Sequence, residues 1–216
     1  MTFQGGEPSQ KEGWLDIING IRPDVYIDIL TNLDFDVEEF MRTVSPARIQ
    51  RDVPYASIRV SHHPKSGDII PIIAEMQRRG YSVGMFAVDH PAVDIESIRA
   101  RAQAWGIDFR TKEFLGVYKN TLHGNYKYPG AVNAKRLKKV KCRSHELLIA
   151  PDGNIHKCHR DLYAGENPIG NLLDENLKIE FKFRDCNVYG ECNACDVKLK
   201  NNRFQEFGSC AVEIEN

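Results

Sequence analysis

The six cysteines are the residues whose type and spacing point most clearly to chemistry. They are Cys142, Cys158, Cys186, Cys192, Cys195 and Cys210, and no cysteine precedes them in the chain. In a reducing compartment, thiols concentrated in one segment favour metal ligation over disulfides. Soft, anionic thiolates suit iron–sulfur clusters, and four of them also bind Zn²⁺ well. Three disulfides in an exported domain are the third interpretation, which the lack of an export signal at the N-terminus disfavours.

Histidines form the second chemical group. The segments Ser61-His62-His63-Pro64 and Asp89-His90-Pro91 both lie where predicted strands end. His62 and His63 are candidate catalytic residues, because imidazole titrates near neutral pH and can contact a substrate or move protons. A polar strand end that is simply exposed to solvent is the alternative interpretation.

Five predicted strands alternate with amphipathic segments over the first half of the chain. They cover residues 2–4, 25–31, 57–61, 82–89 and 107–114, and their ends recur every 25 to 30 residues. That interval is the length of one strand-plus-helix unit, so the pattern predicts a parallel sheet or an open α/β barrel. Functional residues then belong at the C-terminal ends of the strands. A doubly wound sheet fits the same repeat.

Local signals place several element boundaries. Asp36 and Glu39 have the spacing of a capping box at a helix start. Helices are predicted over 68–79 and 95–105, each ended by a glycine. Residues 145–150 and 154–158 are predicted to form a β-hairpin around an Asp-Gly turn. The stretch between Gly116 and Lys141 shows no such pattern and predicts a connector.

The segment Gly5-Gly6-Glu7-Pro8 directly follows the first predicted strand. Two glycines let the backbone approach a ligand closely and adopt dihedral angles that other residues avoid. A carboxylate beside them can bind an ammonium group, and Pro8 stiffens the exit from the loop. Taken alone, the motif predicts an ordinary turn.

In its context, the Phe-Gln-Gly-Gly-Glu-Pro sequence of residues 3–8 resembles the S-adenosylmethionine (SAM) binding motif of radical SAM enzymes. The resemblance implies that the methionine moiety of SAM is bound by Gly5, Gly6 and Glu7, with Pro8 as the fourth cofactor-binding residue of the loop. It also implies that small polar residues at the next strand ends line the cofactor pocket, namely Thr31, Asn32 and Ser61.

The cysteine segment resembles the SPASM or twitch region of the same family, which binds auxiliary [4Fe–4S] clusters. The likeness lies in the spacing Cys142-x(10)-Gly153-x(4)-Cys158, in the Ile-Gly-Asn turn of residues 169–171, and in Cys186-x(5)-Cys192-x-x-Cys195. Phe183 stands where a full SPASM region has a further cysteine. The twitch version therefore implies one cluster bound by Cys142, Cys158, Cys192 and Cys195. Cys186 and Cys210 would hold a second, incompletely ligated cluster or be free core thiols.

One departure from the family affects activity. The Cys-x-x-x-Cys-x-x-Cys motif that holds the SAM-cleaving cluster is absent, so the resemblance implies a truncated product, a split gene or a fragment that is inactive alone. In a complete enzyme, an electron from a donor such as a flavodoxin or ferredoxin would cleave SAM. The resulting 5′-deoxyadenosyl radical would take hydrogen from a peptide or small-molecule substrate.

The expected architecture is a partial (β/α) barrel over residues 1–116 that lacks its first strand–helix unit. A connector over 117–141 and a small Cys-rich α+β auxiliary domain over 142–216 follow. The alternative is a non-catalytic α/β binding or scaffold protein with a structural Cys₄ zinc site. One Cys-x-x-Cys fits half of a zinc ribbon, although Cys142 and Cys158 are too far apart to be its second pair.

Composition limits the partners. The formal net charge is −1, so no global field would recruit nucleic acid or a membrane surface. No apolar run approaches the ~20 residues needed to span a bilayer. The basic run of residues 135–141 has no interleaved aromatic residues, so it predicts a solvated connector or an anion contact and not a nucleic-acid groove. A cytoplasmic location, with no membrane or nucleic-acid partner, is expected.

Overall fold

The computed structural model describes residues 1–51, 55–114, 116–123, 138–144, 146–189 and 212–215. The chain is divided into two compact units, Met1–Lys119 and Asn120–Asn216. Among the helices in these ranges, none is long and apolar enough to cross a membrane.

The first unit contains a five-stranded parallel sheet. Its strands are β1 (Thr2–Phe3), β2 (Asp28–Thr31), β3 (Ile58–His62), β4 (Val83–Asp89) and β5 (Phe109–Glu113). The helices between them are α1 (Trp14–Gly20), α2 (Val37–Thr43), α3 (Ile70–Arg78) and α4 (Ile95–Ala104). The mixed α/β class predicted from the repeat is therefore confirmed. The five strands form an open sheet and do not close into a barrel within the described residues.

The strands lie in the sequential order β1-β2-β3-β4-β5. A doubly wound sheet needs a reversal of strand order, and these five strands have none. Right-handed connections between sequential neighbours all place their helices on the same face. One hydrophobic cluster accordingly joins residues of all four helices to alternate strand residues; it includes Ile18, Phe40, Ile73, Ala102, Ile29, Val60 and Met85.

Helix ends follow the predicted signals. The Asp36 side chain accepts a hydrogen bond from the Glu39 amide at 2.9 Å, which confirms the predicted start of α2. Gly80 and Gly106, with φ of 95° and 70°, follow α3 and α4 in the left-handed conformation that glycine favours. Helix α3 begins two residues later than predicted, at Ile70, because Pro71 suits the first turn of a helix.

The strand residues that alternate with the core residues lie on the second face of the sheet, and none of them belongs to the hydrophobic cluster. These residues are Asp28, Leu30, Arg59, Ser61, Gly84, Phe86, Val88, Arg110 and Lys112. At the N-terminal end of this face, Ala56 packs over Gly84, and Tyr55 lies under the guanidinium groups of Arg51 and Arg110. The segment 55–56 therefore covers one end of the second face.

Gly84 lies directly under that segment. A Cβ atom at this position would lie 2.9 Å from the Ala56 Cβ and 3.2 Å from the Asp108 carbonyl oxygen. We expect Gly84→Ala to lower the free energy of unfolding by about 1–3 kcal/mol, because a methyl group forces the backbone apart. Urea unfolding followed by circular dichroism measures the change.

Gly20→Ala is the matched control for this prediction. Gly20 ends α1, and a Cβ there would meet no atom within 4 Å. The control is expected to be neutral or to stabilise by up to ~1 kcal/mol, since alanine loses less backbone entropy on folding. Equal stabilities of the two variants would show that the space above Gly84 is not limiting.

Two short strands, β6 (Gly116–Tyr118) and β7 (Thr121–His123), lie in the stretch that the sequence predicts as a connector. Lys119 and Asn120 between them have φ of 47° and 63°. Two successive positive φ angles are the signature of a two-residue hairpin turn. The boundary of the first unit is therefore more regular than a featureless linker.

The described part of the second unit contains two three-stranded sheets. Strand β8 (Lys138–Ser144) lies between β12 (Arg184–Tyr189) and β13 (Val212–Glu215), and both neighbours are antiparallel to it. Strands β9 (Leu148–Ile149), β10 (Asn154–His156) and β11 (Gly170–Asn171) form the other sheet, with α5 (His159–Ala164) between β10 and β11 in the chain. The antiparallel pairing of β9 with β10 confirms the predicted hairpin, and Gly153 has a φ of 84° in its turn.

Candidate functional site

The Gly-Gly loop lies at the C-terminal end of β1. Gly5 and Gly6 are exposed and have φ of 93° and 56°, a region that other residues rarely adopt. A Cβ at either position would meet no atom within 4 Å, so the glycines are required by the backbone angles and not by crowding. The loop exposes its backbone at the edge of the sheet where strand-end sites form.

Glu7 fixes this loop to the end of β2. Its Oε1 accepts hydrogen bonds from the Thr31 hydroxyl at 2.8 Å and the Ser9 hydroxyl at 3.0 Å, and its Oε2 accepts one from the Asn32 amide at 2.7 Å. The structure therefore brings together three of the predicted SAM-site residues: Glu7, Thr31 and Asn32. Because Oε2 has one donor among the residues that the structure describes, it keeps capacity for a second donor from a ligand.

The loop after β2 is ordered by its own side chains. The buried Thr31 hydroxyl oxygen accepts a hydrogen bond from the Leu33 amide at 2.9 Å, and the Asn32 Oδ1 accepts one from the Asp34 amide at 2.8 Å. Leu33 has a φ of 63°, which is unusual for a residue with a branched side chain. The Asp34 carbonyl in turn accepts a hydrogen bond from the Gln10 side-chain amide at 3.2 Å. The two strand-end loops thus form one hydrogen-bonded unit.

Pro8 begins a short 3₁₀ turn after the loop, and the remaining predicted residues of the first unit lie on β3 and just beyond it. Ser61 follows Val60, the residue paired with Thr31, and lies on the second face of the sheet. His62 alternates with Ser61, so it lies on the face that the helices cover. His63 comes after the strand and is exposed. His62 and Ser61 therefore point away from each other and do not form one site.

His62 is a half-buried histidine. Its Nδ1 is buried, with no hydrogen-bond partner in the part of the chain that the structure describes. Burial lowers the pKa of His62, and the nearby His63 and Arg101 act in the same direction. A neutral imidazole is therefore favoured at neutral pH, which suits proton acceptance but not charge stabilisation.

His90 belongs to an aromatic cluster after β4. Its Nδ1 accepts a hydrogen bond from the Ala92 amide at 3.1 Å. Its ring contacts Phe114 and Tyr118 edge to face, with centroid distances of 4.4 Å and 4.9 Å. These contacts give His90 a packing role.

The thiols of the second unit meet on two neighbouring strands. Cys142 on β8 pairs in register with Arg184, and Cys186 on β12 pairs with Val140. The two cysteines are therefore diagonal neighbours on the same side of the pleat. Both are half-buried, and their thiols are hydrogen bonded to each other.

The shared hydrogen bond makes the two thiols unequal. The bond that Cys142 donates lowers the pKa of Cys186 to about 6; the Val188 amide and the Lys157 ammonium act in the same direction, and burial opposes them. The same hydrogen bond, followed by burial, raises the pKa of Cys142. The pair therefore loses one proton easily and the second with difficulty.

Cys158 lies close to this pair. It directly precedes α5, and it is near enough to Cys142 to raise the pKa of that thiol slightly. Lys157 forms an ion pair with the buried Asp161 at 3.7 Å, and the Lys157 side chain is 17% exposed. This arrangement holds a cation near thiolates in a partly dry environment, where it offsets their negative charge.

The described thiols fit thiolate ligation of a metal by their chemistry, but they do not form a complete cage. Among the residues that the structure describes, no three His, Cys, Asp or Glu side chains are gathered closely enough to hold a metal ion. Cys192, Cys195 and Cys210 lie outside the described residues, so their predicted role as ligands stays a prediction.

Sequence reasoning missed two features of these sites. The Thr31–Glu7 contact was not predicted, although a Ser, Thr or Asn at a strand end is a signal for such bonding. The contact between Cys142 and Cys186 depends on strand register, which the cysteine spacing does not encode.

No protein-family model, curated protein or solved structure matches this chain.

Proposed function

We propose that this chain is part of a radical SAM enzyme. Its first unit would bind the methionine end of SAM at the Gly-Gly loop, and its second unit would hold an auxiliary metal centre through cysteine thiolates. The observation that carries the proposal is the hydrogen-bonded unit of Glu7, Thr31 and Asn32 at the C-terminal edge of the sheet. It joins residues far apart in sequence that the family resemblance assigns to one cofactor.

The sheet topology supports a partial (β/α) barrel. Sequential strands with every helix on one face are the arrangement of a barrel wall, whose inner face is the second face of this sheet. The segment 55–56 covers the N-terminal end of that face, and the loop of Gly5 and Gly6 lies at the opposite, C-terminal end. A ligand bound at the loop would therefore lie at the end where such folds place their active sites.

The residues of the loop would bind and orient the cofactor. The exposed backbone of Gly5 and Gly6 offers amide and carbonyl groups to the methionine end, while Glu7 holds the loop in place and keeps one acceptor position on Oε2. In the family, an iron–sulfur cluster bound near SAM supplies its reductive cleavage. The sequence has no cysteine before Cys142, so no residue of the first unit serves as a thiolate ligand for such a cluster.

A titration of the ¹⁵N-labelled chain with SAM, followed by amide chemical shifts, tests this function. We expect weak binding that shifts the Gly5, Gly6 and Asn32 amides, and no such shifts with adenosine, which lacks the methionine end. Glu7→Gln is expected to weaken binding about fivefold or more. Its amide nitrogen would put a donor opposite the donor of either Thr31 or Asn32, at a cost on the order of 1 kcal/mol or above.

Glu12→Gln is the control for this titration. Glu12 is exposed, and its substitution removes the same charge from the same segment of the chain. It is expected to bind SAM as the unchanged chain does. Absence of SAM-dependent shifts at the loop, or equal affinities of the two glutamine variants, would count against the proposed site.

A structural zinc site is the second candidate for the second unit. The observation that favours it is the direct contact between the Cys142 and Cys186 thiols. Two thiolates on one tetrahedral Zn²⁺ lie roughly 3.8 Å apart, given Zn–S bonds of about 2.3 Å. In a [4Fe–4S] cluster each thiolate binds a different iron, so the sulfurs lie farther apart. Zinc without iron in the purified protein would favour a binding or scaffold role.

A further inference from the structure

Cys186 contacts a thiol that the family resemblance assigns to a different site. The resemblance groups Cys142 with Cys158, Cys192 and Cys195, and it leaves Cys186 for a second, incomplete cluster or as a free core thiol. In the structure, Cys142 and Cys186 are hydrogen bonded across neighbouring strands. The strand pairing therefore favours a different grouping from the one that the resemblance implies.

The position that would give Cys186 a partner of its own is filled by an aromatic ring. Phe183 stands where a full SPASM region has a cysteine, and the guanidinium of Arg143 lies over its ring at 4.7 Å. Phe183 therefore packs against β8 and offers no ligand atom. Among the described thiols, the one that Cys186 contacts is therefore that of Cys142 on β8.

The surroundings of the thiol pair suit a charged centre. Lys157 acts on the sulfurs of both Cys142 and Cys186, and it is anchored by the buried Asp161. Arg160 also donates a hydrogen bond to the Asp161 Oδ1 at 3.0 Å. Cations held at fixed positions beside thiolates lower the cost of collecting several negative sulfurs in one place.

We propose that Cys142 and Cys186 bind one and the same metal centre. The inference rests on the thiolate metal site of the proposed function, and it changes the ligand set that the family resemblance implies. Two thiols on adjacent strands of one sheet are held by backbone pairing, so the site is preorganised before any metal arrives.

Metal analysis of single and double variants tests this ligand set. Cys142→Ser, Cys186→Ser and the double variant are reconstituted anaerobically with iron and sulfide, and separately with Zn²⁺, and the bound metal is counted per chain. If the two cysteines share a centre, each single variant loses the same metal equivalents, and the double variant loses no more than either single one.

Asp185→Ser is the matched control. Asp185 is exposed and lies beside Cys186 on the opposite side of the pleat, so its replacement is expected to leave the metal content unchanged. Losses that add in the double variant would place the two cysteines on different centres. That result would overturn this inference and leave the metal-binding function standing.

A second measurement on the unchanged chain guards against variants that fail to fold. The metal-loaded protein is treated with increasing chelator, alkylated with iodoacetamide and mapped by mass spectrometry. We expect Cys142 and Cys186 to become alkylated in parallel, at the chelator concentration that removes the metal. Independent release of the two thiols would contradict the shared centre.

The choice of metal separates this inference from the proposed function. Zinc bound with the non-additive pattern would support the shared centre and contradict the iron–sulfur assignment. A chain that retains neither iron nor zinc would overturn both the metal function and the shared centre, while the SAM titration would still test the first unit.

Discussion

Replacing Asp28 by alanine is expected to lower the free energy of unfolding by about 3–5 kcal/mol, the largest loss that we expect from a single substitution in the first unit. The Asp28 carboxylate is 6% exposed and accepts hydrogen bonds from Arg51 at 2.6 Å and from Arg59. It also accepts one from the Thr2 hydroxyl at 2.6 Å. Removing the carboxylate leaves two partly buried cations without their counter-charge, which costs more than the pair itself contributes.

The surroundings of Asp28 limit how far the structure can relax. Arg59 has a side chain that is 19% exposed, and burial lowers its pKa even though Asp28 opposes the shift. The Nε atoms of Arg51 and Arg59 are already buried without partners in the described part of the chain. Further loss of acceptors therefore adds to an existing desolvation cost.

Asp24→Ala is the control for Asp28→Ala. Asp24 pairs with Arg22 at 2.9 Å, but the two side chains are 68% and 77% exposed. An ion pair in water contributes between about 0 and 1 kcal/mol, so this variant is expected to unfold almost as the unchanged chain does. Urea unfolding of both variants decides the matter, and stabilities within 1 kcal/mol of each other would contradict a structural role for Asp28.

The regular part of the first unit could be predicted because its signals are local. Apolar alternation marks the strands, and capping residues mark the helices. The strand predicted over 25–31 is shorter in the structure, where β2 covers Asp28–Thr31. It starts later because the backbone N–H of Val25 donates a hydrogen bond to the Arg22 carbonyl at 3.1 Å, which places Val25 in a turn. Val25 and Tyr26 have strong β-propensity, yet Tyr26 is 58% exposed, so tertiary structure decides where the strand begins.

The candidate sites were less predictable because their contacts are long-range. Glu7 meets Thr31 across 24 positions, and Asp28 meets Arg59 across 31. A sequence shows that a carboxylate follows a strand, but it does not show which donors the fold brings to it. The histidines at residues 62 and 63 are adjacent in the sequence, but His62 lies on the face of β3 that the helices cover, whereas His63 follows the strand and is exposed.

Arg48→Ala is expected to lower the free energy of unfolding by about 2–4 kcal/mol, because one guanidinium holds the region between α1 and β2. Its Nε donates to the Ile18 carbonyl at 3.2 Å, its Nη1 to the Val25 carbonyl at 3.0 Å, and its Nη2 to the Ile21 carbonyl at 2.9 Å. Carbonyls at a helix C-terminus lack intrahelical donors, so the loss of Arg48 leaves several of them unsatisfied.

Arg48→Lys separates geometry from charge. A lysine ammonium keeps the charge but cannot reproduce a planar fork that reaches carbonyls in three directions, so an intermediate loss is expected. Arg42→Ala is the control. The Arg42 side chain is 74% exposed, and its Nη2 lies 3.9 Å from the Glu39 Oε1, so it forms a weak ion pair in water. Urea unfolding should rank the losses as Arg48→Ala, then Arg48→Lys, then Arg42→Ala. A lysine variant as stable as the unchanged chain would show that positive charge alone suffices at the start of β2, the strand that carries both Asp28 and Thr31.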